Sequence, residues 1–140
     1  MSNYTPFPTK VVTPQGVLFE GDVRELELTS AGGHMGILAR RSPVVADLKL
    51  GHVRVELEDG TWKTWATEEG FAQASNSTAT VVVEEAVALE DLDEAWAAQL
   101  VSEGKAKLEA AGDDESAAKL ARRDIAWGEH LQGFRAKFSE

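Results

Sequence analysis

No cysteine occurs in the 140 residues, which removes disulfide frameworks, thiol catalysis and cysteine-ligated zinc from consideration. Histidine is scarce too: His34, His52 and His130 are the three, none paired at metal-binding spacing, and each reads as a lone surface histidine, His34 on a loop edge, His52 on a wet strand face and His130 on a helix. Positive charge is in short supply. Lys and Arg number 14 against 24 Asp and Glu, a net charge of -10, which argues against nucleic acid or anionic lipid as a partner over most of the surface and points to proteins instead. No stretch approaches the roughly 18 apolar residues of a membrane span, and Met1-Ser2-Asn3-Tyr4-Thr5-Pro6 has neither a basic nor an apolar signal region, so a cytosolic or peripheral protein is expected. Ser30-Ala31-Gly32-Gly33 lacks the Lys-Ser/Thr ending of a phosphate cradle, and the adjacent carboxylates Glu68-Glu69 and Glu84-Glu85 point to opposite strand faces. No nucleophile, base or metal set converges, so the chain is not expected to be an enzyme.

What is present divides at residues 89 to 95. Before that seam, short β-rich runs alternate with Gly, Asn and Asp turns; after it there is no proline and alanine is abundant. Val53, Val55 and Leu57 alternate with His52, Arg54, Glu56 and Glu58, the period-two pattern of a strand with one face buried. Asp59-Gly60 predicts a two-residue hairpin turn, with Thr61 to Ala66 returning as the partner. Further strands are expected at Thr9 to Val12, Val17 to Glu20, Val23 to Thr29, Met35 to Leu38, Val44 to Lys49, Phe71 to Ala74 and Thr80 to Val87, with turns at Gly21-Asp22 and Gly51 among others. Many short strands at close spacing suggest an antiparallel sandwich or flattened barrel.

Past the seam, Asp91 is expected to cap a first helix with Glu94 completing a capping box, and Gly112 to end it. Leu92, Trp96, Leu100, Gly104 and Leu108 form its stripe. A second helix from about Asp114 carries Leu120, Trp127, Leu131, Phe134 and Phe138. The two should fold as an antiparallel hairpin with little core of its own. Lys119, Arg122, Arg123, Arg135 and Lys137 make the second helix locally basic in an acidic chain, either as a solvated face or as an arm for an acidic partner. Gly104 and Gly128 each weaken their helix by roughly 1 kcal/mol relative to alanine.

The stretch Gly33-His34-Met35-Gly36-Ile37-Leu38-Ala39-Arg40-Arg41-Ser42-Pro43-Val44-Val45-Ala46-Asp47-Leu48-Lys49-Leu50-Gly51 resembles the signature region of the epsilon subunit of F-type ATP synthase. In register with it stand Val12-Thr13-Pro14-Gln15-Gly16-Val17-Leu18-Phe19-Glu20-Gly21, Gly70-Phe71, Thr80-Val81-Val82-Val83 and Asp91-Leu92-Asp93-Glu94-Ala95. The resemblance implies a β domain at 1–88, an antiparallel ten-stranded β-sandwich, and a C-terminal helical hairpin at 89–140. It implies a non-catalytic rotor subunit in the central stalk that binds the gamma subunit and rests on the ring of c subunits, at the cytoplasmic face of a bacterial plasma membrane, without inserting into it. The hairpin is implied to restrain ATP hydrolysis by extending along gamma, with Lys119, Arg122 and Arg123 facing an acidic segment of the catalytic beta subunit.

Two departures from the family pattern bear on this. The ring-facing loop falls on Gly33 to Pro43, where His34 stands for a common Glu, Ala39 for a Pro and Arg41 for a His; His34, Arg40, Arg41 and Pro43 are its candidate contacts, and Arg40 beside Arg41 calls for acidic or carbonyl-rich partner positions. Members that bind ATP between the helices carry an Asp-x-x-Arg-Ala pattern, aligned here with Asp93-Glu94-Ala95-Trp96-Ala97. Trp96 replaces the arginine fork, so no cofactor is expected even though Asp93, Arg122 and Arg123 would be the residues nearest such a site; Trp96 packing on Trp127 or Phe134 is the simpler role. Two other readings are an ATP-sensing regulatory module and a free-standing β-sandwich adaptor.

Overall fold

The structure, a computed structural model, describes residues 5–39, 43–75 and 77–138. Among them run β1 (Phe7–Thr13), β2 (Gly16–Ser30), β3 (Gly33–Ile37), β4 (Val44–Leu57), β5 (Trp62–Thr67), β6 (Gly70–Ala74), β7 (Ala79–Val83) and β8 (Ala86–Ala88), then α1 (Glu94–Ala111) and α2 (Glu115–Phe138). The chain forms two compact units, Met1–Ala88 and Leu89–Glu140.

In the first unit the strand order is β3-β2-β1-β7-β6-β4-β5-β8, with β2 also paired to β4. The first half of β2 pairs with β1 and its second half with β3 and β4; the first half of β4 pairs with β6 and its second half with β2 and β5. Two sheets result, joined by two strands that pass through both. The expected ten strands are therefore eight among the described residues. Gly21-Asp22 and Gly51, read as turns, lie inside β2 and β4. Gly51 answers a close approach instead, with Thr29 Oγ1 only 2.3 Å from where its Cβ would stand, whereas a Cβ on Gly21 would meet the Phe19 ring of the same strand at an ordinary 3.4 Å. The change of sheet is made by register shifts, between Val23 and Glu25 and between Leu28 and Ser30, where an extra residue kinks the strand and swaps its faces. The sheet is not wholly antiparallel either, since β1 and β7 run parallel from Thr9↔Ala79 to Val12↔Val82.

The core between the sheets follows from alternation. Leu26, Leu28, Val53, Val55 and Trp65 turn inward from the second sheet, and Phe7, Val11, Val81, Val83 and the small Ala72, Ala74 and Ala79 from the first. Small Ala72, Ala74 and Ala79 among the larger side chains of the first layer leave room for those of the second, so the layers interdigitate at close-packed density. Phe19 meets Trp65 edge to face across the gap, with ring centroids 5.9 Å apart. The β4–β5 loop has three residues rather than two: Leu57 N–H donates to Thr61 O at 2.8 Å and Gly60 N–H to Leu57 O at 2.9 Å, with Gly60 at φ +89°. Asp59 takes both the amide and the hydroxyl of Thr61, which favours the bulged loop over the tight turn.

In the second unit a 3₁₀ turn, Leu89–Asp91, precedes α1. The cap is Asp93, not Asp91: its carboxylate accepts from Ala95 N at 2.9 Å and Trp96 N at 3.3 Å, and Glu94 becomes the first helical residue instead of the capping-box partner. Gly112 ends α1 at φ +55°, and Asp114 caps α2 through Ala117 N. The packed seam is built on small residues. Ala97 and Gly104 are buried on α1, and Ala118, Ala121, Trp127, Gly128, Leu131 and Phe134 on α2. Leu120, expected in the stripe, is 60 % exposed because the seam passes through Ala118 and Ala121 beside it.

Gly70 supplies a test of the sandwich. A Cβ there would lie 1.9 Å from the backbone oxygen of Val82 and 2.7 Å from Val83 Cα, and backbone cannot step aside as a side chain can. Gly70→Ala is expected to lower unfolding stability by about 3 kcal/mol in denaturant titration, whereas Gly32→Ala, which meets only Ser30 Oγ at 3.9 Å, should change it by less than about 0.5 kcal/mol.

Candidate functional site

Two faces of the first unit and the length of the hairpin carry the chemistry. On the second sheet, alternation brings Glu25, Glu27 and Thr29 of β2 beside His52, Arg54 and Glu56 of β4, with Trp62 and Thr64 of β5 next to them. His52 Nε2 lies 3.1 Å from Glu27 Oε1, which makes Nε2 the donor. Nδ1 then accepts the Thr29 hydroxyl at 3.2 Å, and Thr29 Oγ1 in turn accepts His52 N–H at 3.1 Å. One tautomer satisfies every group. Arg54 stands 3.6 Å from the same Glu27 oxygen, donates through Nε to Thr64 Oγ1 at 3.2 Å, and lies 4.3 Å over the Trp62 ring. Arg24 pairs with Glu56 at 3.6 Å.

His52 is only 5 % exposed, so the reading of a wet-face histidine fails. His34 on β3 is no lone residue either, for its ring meets that of His52 edge to face at 4.9 Å. Sequence alternation identified the correct face but not its coverage: Thr29, Glu27 and His34 come from strands 18 or more residues away, and only the β2–β3–β4 pairing in the fold brings them over the ring. Burial holds the His52 imidazole below its ordinary value, with the neighbouring His34 and Arg54 adding to the effect and Glu27 opposing it. Burial, then the Glu27 and Glu56 carboxylates, push the Glu25 carboxyl upward against the pull of Arg54.

On the outer side of the first sheet, the registers Asp47↔Phe71, Phe71↔Val82, Val82↔Val12 and Val12↔Val17 join into one row across five strands. Phe71 is 45 % and Val17 55 % exposed, with Val82 and Val12 half-buried between them. Next to it runs a row with Val45, Gln73, Thr80, Lys10 and Glu20, in which Lys10 and Glu20 pair at 3.8 Å. The first of these rows is an apolar strip on an acidic protein.

Of the expected loop contacts, His34 lies on β3 and Pro43, exposed, just precedes β4; Arg40 and Arg41 fall outside the described residues. Lys119, Arg122 and Arg123 are exposed on α2. Asp93 is engaged as the α1 cap. In the hairpin Gly104 faces Ala121 and Gly128 faces Ala97, which sets Asp93 roughly 15 Å along the axis from Arg122, at 1.5 Å per residue. The closed hairpin does not bring Asp93 together with Arg122 and Arg123. Trp96 is 37 % exposed rather than packed on Trp127 or Phe134; the rings against those two are His130, at 6.1 and 5.4 Å, and Phe138, at 4.8 Å from Phe134. Among the described residues no group of His, Cys, Asp or Glu could hold a metal ion, and no helix is long and apolar enough to cross a membrane.

Comparison with known proteins gives a consistent pattern. Residues 6–89 match the family model of the ATP synthase delta/epsilon chain, β-sandwich domain. The ATP synthase epsilon chain of Nitratiruptor is 32% identical over 108 residues, 77% of this chain and 84% of its own. The chloroplastic epsilon chain of Lotus japonicus is 35% identical over 101 residues, 72% of this chain and 75% of its own. In fold, a chain of the Euglena gracilis mitochondrial ATP synthase, solved with OSCP, F1 and c-ring, superposes with a TM-score of 0.75 at 23% identity, covering 94% of this chain and 83% of that one.

The polar face generates a pH prediction. The folded pKa of His52 lies below that of the unfolded chain, about 6.5, so its contribution to stability is complete above that pH and is lost as pH falls through the folded value. His52→Gln should flatten the stability curve between about pH 7 and 5 in denaturant titrations at stepped pH. Glu25 has the opposite sense, since a raised carboxyl pKa costs stability at neutral pH and the cost vanishes in acid. Glu25→Gln should therefore stabilise by a few tenths of a kcal/mol at pH 7, the effect being screened by solvent, and lose that gain below about pH 4.

Proposed function

This chain belongs to the epsilon-chain family of F-type ATP synthase and is a non-catalytic subunit of that machine, and from that premise we propose that it couples the ion-driven ring to the catalytic head as part of the central stalk. The observation that carries this reading is the exposed row of Phe71, Val82, Val12 and Val17. An apolar strip held flat by five hydrogen-bonded strands is a rigid docking surface, and its occupant is the gamma subunit. The neighbouring Lys10, Glu20 and Asp47 supply the polar rim that fixes orientation. The loop from Gly33 to Pro43, with His34, Arg40, Arg41 and Pro43, meets the polar loops of the c ring. Residues 1–88 thus form the coupling module, peripheral to the cytoplasmic face of a bacterial plasma membrane.

Residues 89–140 act as a brake on ATP hydrolysis. Lys119, Arg122 and Arg123 are exposed along α2 in a chain of net charge -10, so the helix presents a local cationic stripe to an acidic segment of the catalytic beta subunit. The brake works without bound nucleotide: Trp96 stands where the family places its arginine, and the Asp93 carboxylate is spent on the helix cap.

Phe71→Asp in the full chain is expected to weaken binding to gamma about thirtyfold, the loss of one apolar anchor of roughly 2 kcal/mol. Gln73→Asp, one row away on the same strand, should change it by less than about threefold. Calorimetric titration against gamma reads both, and equal affinity of Phe71→Asp and the parent would remove the docking face. Every residue of the sandwich core precedes residue 89, so a chain ending at Ala88 is expected to fold and bind gamma. The reading of the tail as a brake requires that this shorter chain release the hydrolysis that the full chain suppresses.

A further inference from the structure

Glycine in the middle of a helix needs a reason, and Gly104 and Gly128 have the same one. A Cβ on Gly128 would lie 2.7 Å from Val101 Cγ2, 2.9 Å from the Ala97 backbone oxygen and 3.1 Å from Leu100 Cβ; one on Gly104 would lie 2.7 Å from Ile125 Cγ1, 3.3 Å from the Ala121 backbone oxygen and 3.3 Å from Ile125 N. Each helix thus offers a notch that a β-branched side chain of the other fills, Val101 over Gly128 and Ile125 over Gly104. The spacing is seven residues on both: Ala97, Gly104 and Ala111 on α1 run against Ala121 and Gly128 on α2, so the small residues meet in antiparallel register. At the open end of the hairpin, Arg135 of α2 reaches back to the carbonyl oxygens of Leu89 at 3.2 Å and Leu92 at 2.5 Å, ahead of the start of α1. Gly133 of α2 is different, for a Cβ there meets nothing within 4 Å.

We propose that Gly104 and Gly128 form a reciprocal latch that makes the closed hairpin the resting state of the tail and sets the threshold for its opening. The inference rests on the reading of the tail as an extensible brake. Its physical content is a difference in sign between two states. In the closed pair a methyl group on Gly128 would stand 2.9 Å from the Ala97 backbone oxygen, which cannot step aside, and one on Gly104 would press on the stiff β-branched Ile125 side chain at 2.7 Å with backbone close behind at 3.3 Å. In an opened tail the same methyl group touches nothing and strengthens its own helix about fivefold in equilibrium constant. A glycine-to-alanine change at either notch therefore disfavours closure and favours extended helix at once, and a population held between two states moves by the product of the two effects. The intrinsic weakening of each helix by its glycine stands, and to it the closed hairpin adds a close approach between the helices that an alanine would crowd.

The absence of cysteine allows the test on the full chain. Ala98→Cys with Glu129→Cys, both exposed positions, carries a pair of spin labels whose distance distribution reports closure. Gly104→Ala and Gly128→Ala are each expected to raise the open fraction about tenfold or more, with helix content by circular dichroism held or increased. Gly133→Ala, the same chemistry on the same helix away from the seam, should leave the distribution closed. The latch is overturned if Gly128→Ala keeps the parent distribution, or if Gly133→Ala opens the hairpin as much as Gly128→Ala does. ATP hydrolysis by the catalytic head with gamma separates the latch from the brake. Deeper suppression by the opened variants supports both, whereas opening without any change in hydrolysis supports the latch and removes the brake.

Discussion

The ladder between β2 and β4 is the constraint on which the first unit depends. Leu26 opposite Val55 and Leu28 opposite Val53 are all fully buried, so the pairing closes the two sheets and forms the middle of the core in the same contacts. The register shifts flanking it turn each strand from one sheet into the other, and the faces exposed on either side follow from that turn. Past the shift in β2, Glu25, Glu27 and Thr29 lie outward beside His52 and Arg54; before it, Val17 and Glu20 lie outward beside Val12 and Lys10. The polar face and the apolar row are thus two consequences of one crossing. A sequence change that erased either bulge would invert a whole half-strand, placing carboxylates in the core.

The second unit solves a different problem with less material. It has no large apolar stripe along α1, where Ala97 and Gly104 are the buried residues, and it gains contact by bringing backbones together rather than by interleaving long side chains. Close approach multiplies dispersion contacts per residue, but it is intolerant of any added atom. Trp127 is nearly fully buried on α2, and among the described residues its indole N–H has no acceptor. Close packing of this kind makes the pairing of the two helices specific.

Local alternation was legible for the strands because each carries its pattern in consecutive residues, as Val53, Val55 and Leu57 do. What the sequence could not display was where a strand continues. Gly21-Asp22 and Gly51 carry the composition of turns, yet both lie inside strands, and Gly51 sits in one because the Thr29 side chain of β2 occupies the space of its missing Cβ. The helix start moved from Asp91 to Asp93 for a similar reason: both are good caps by composition, and the 3₁₀ turn at Leu89–Asp91 decides between them. In the candidate site, His52 was placed on the right face of the right strand, but its burial depends on groups from β2 and β3, which no local pattern contains. Leu120 stands in the apolar series of the second helix by its spacing, yet the seam passes instead through Ala118 and Ala121, whose advantage is that they are small.

The passage of β2 and β4 through both sheets also has a mechanical meaning. In most two-layer folds the layers are held by side-chain packing and by loops at their ends, and a sideways force can slide one over the other. Here fifteen residues of β2 and fourteen of β4 run as unbroken backbone from the layer with the apolar row to the layer with the polar face. Sliding the layers would stretch covalent chain and shear the β2–β4 hydrogen bonds together, rather than peel them one at a time. The sandwich gains stiffness against shear from such a route, since a load between its two faces travels along peptide bonds and not through the compliance of packed methyl groups.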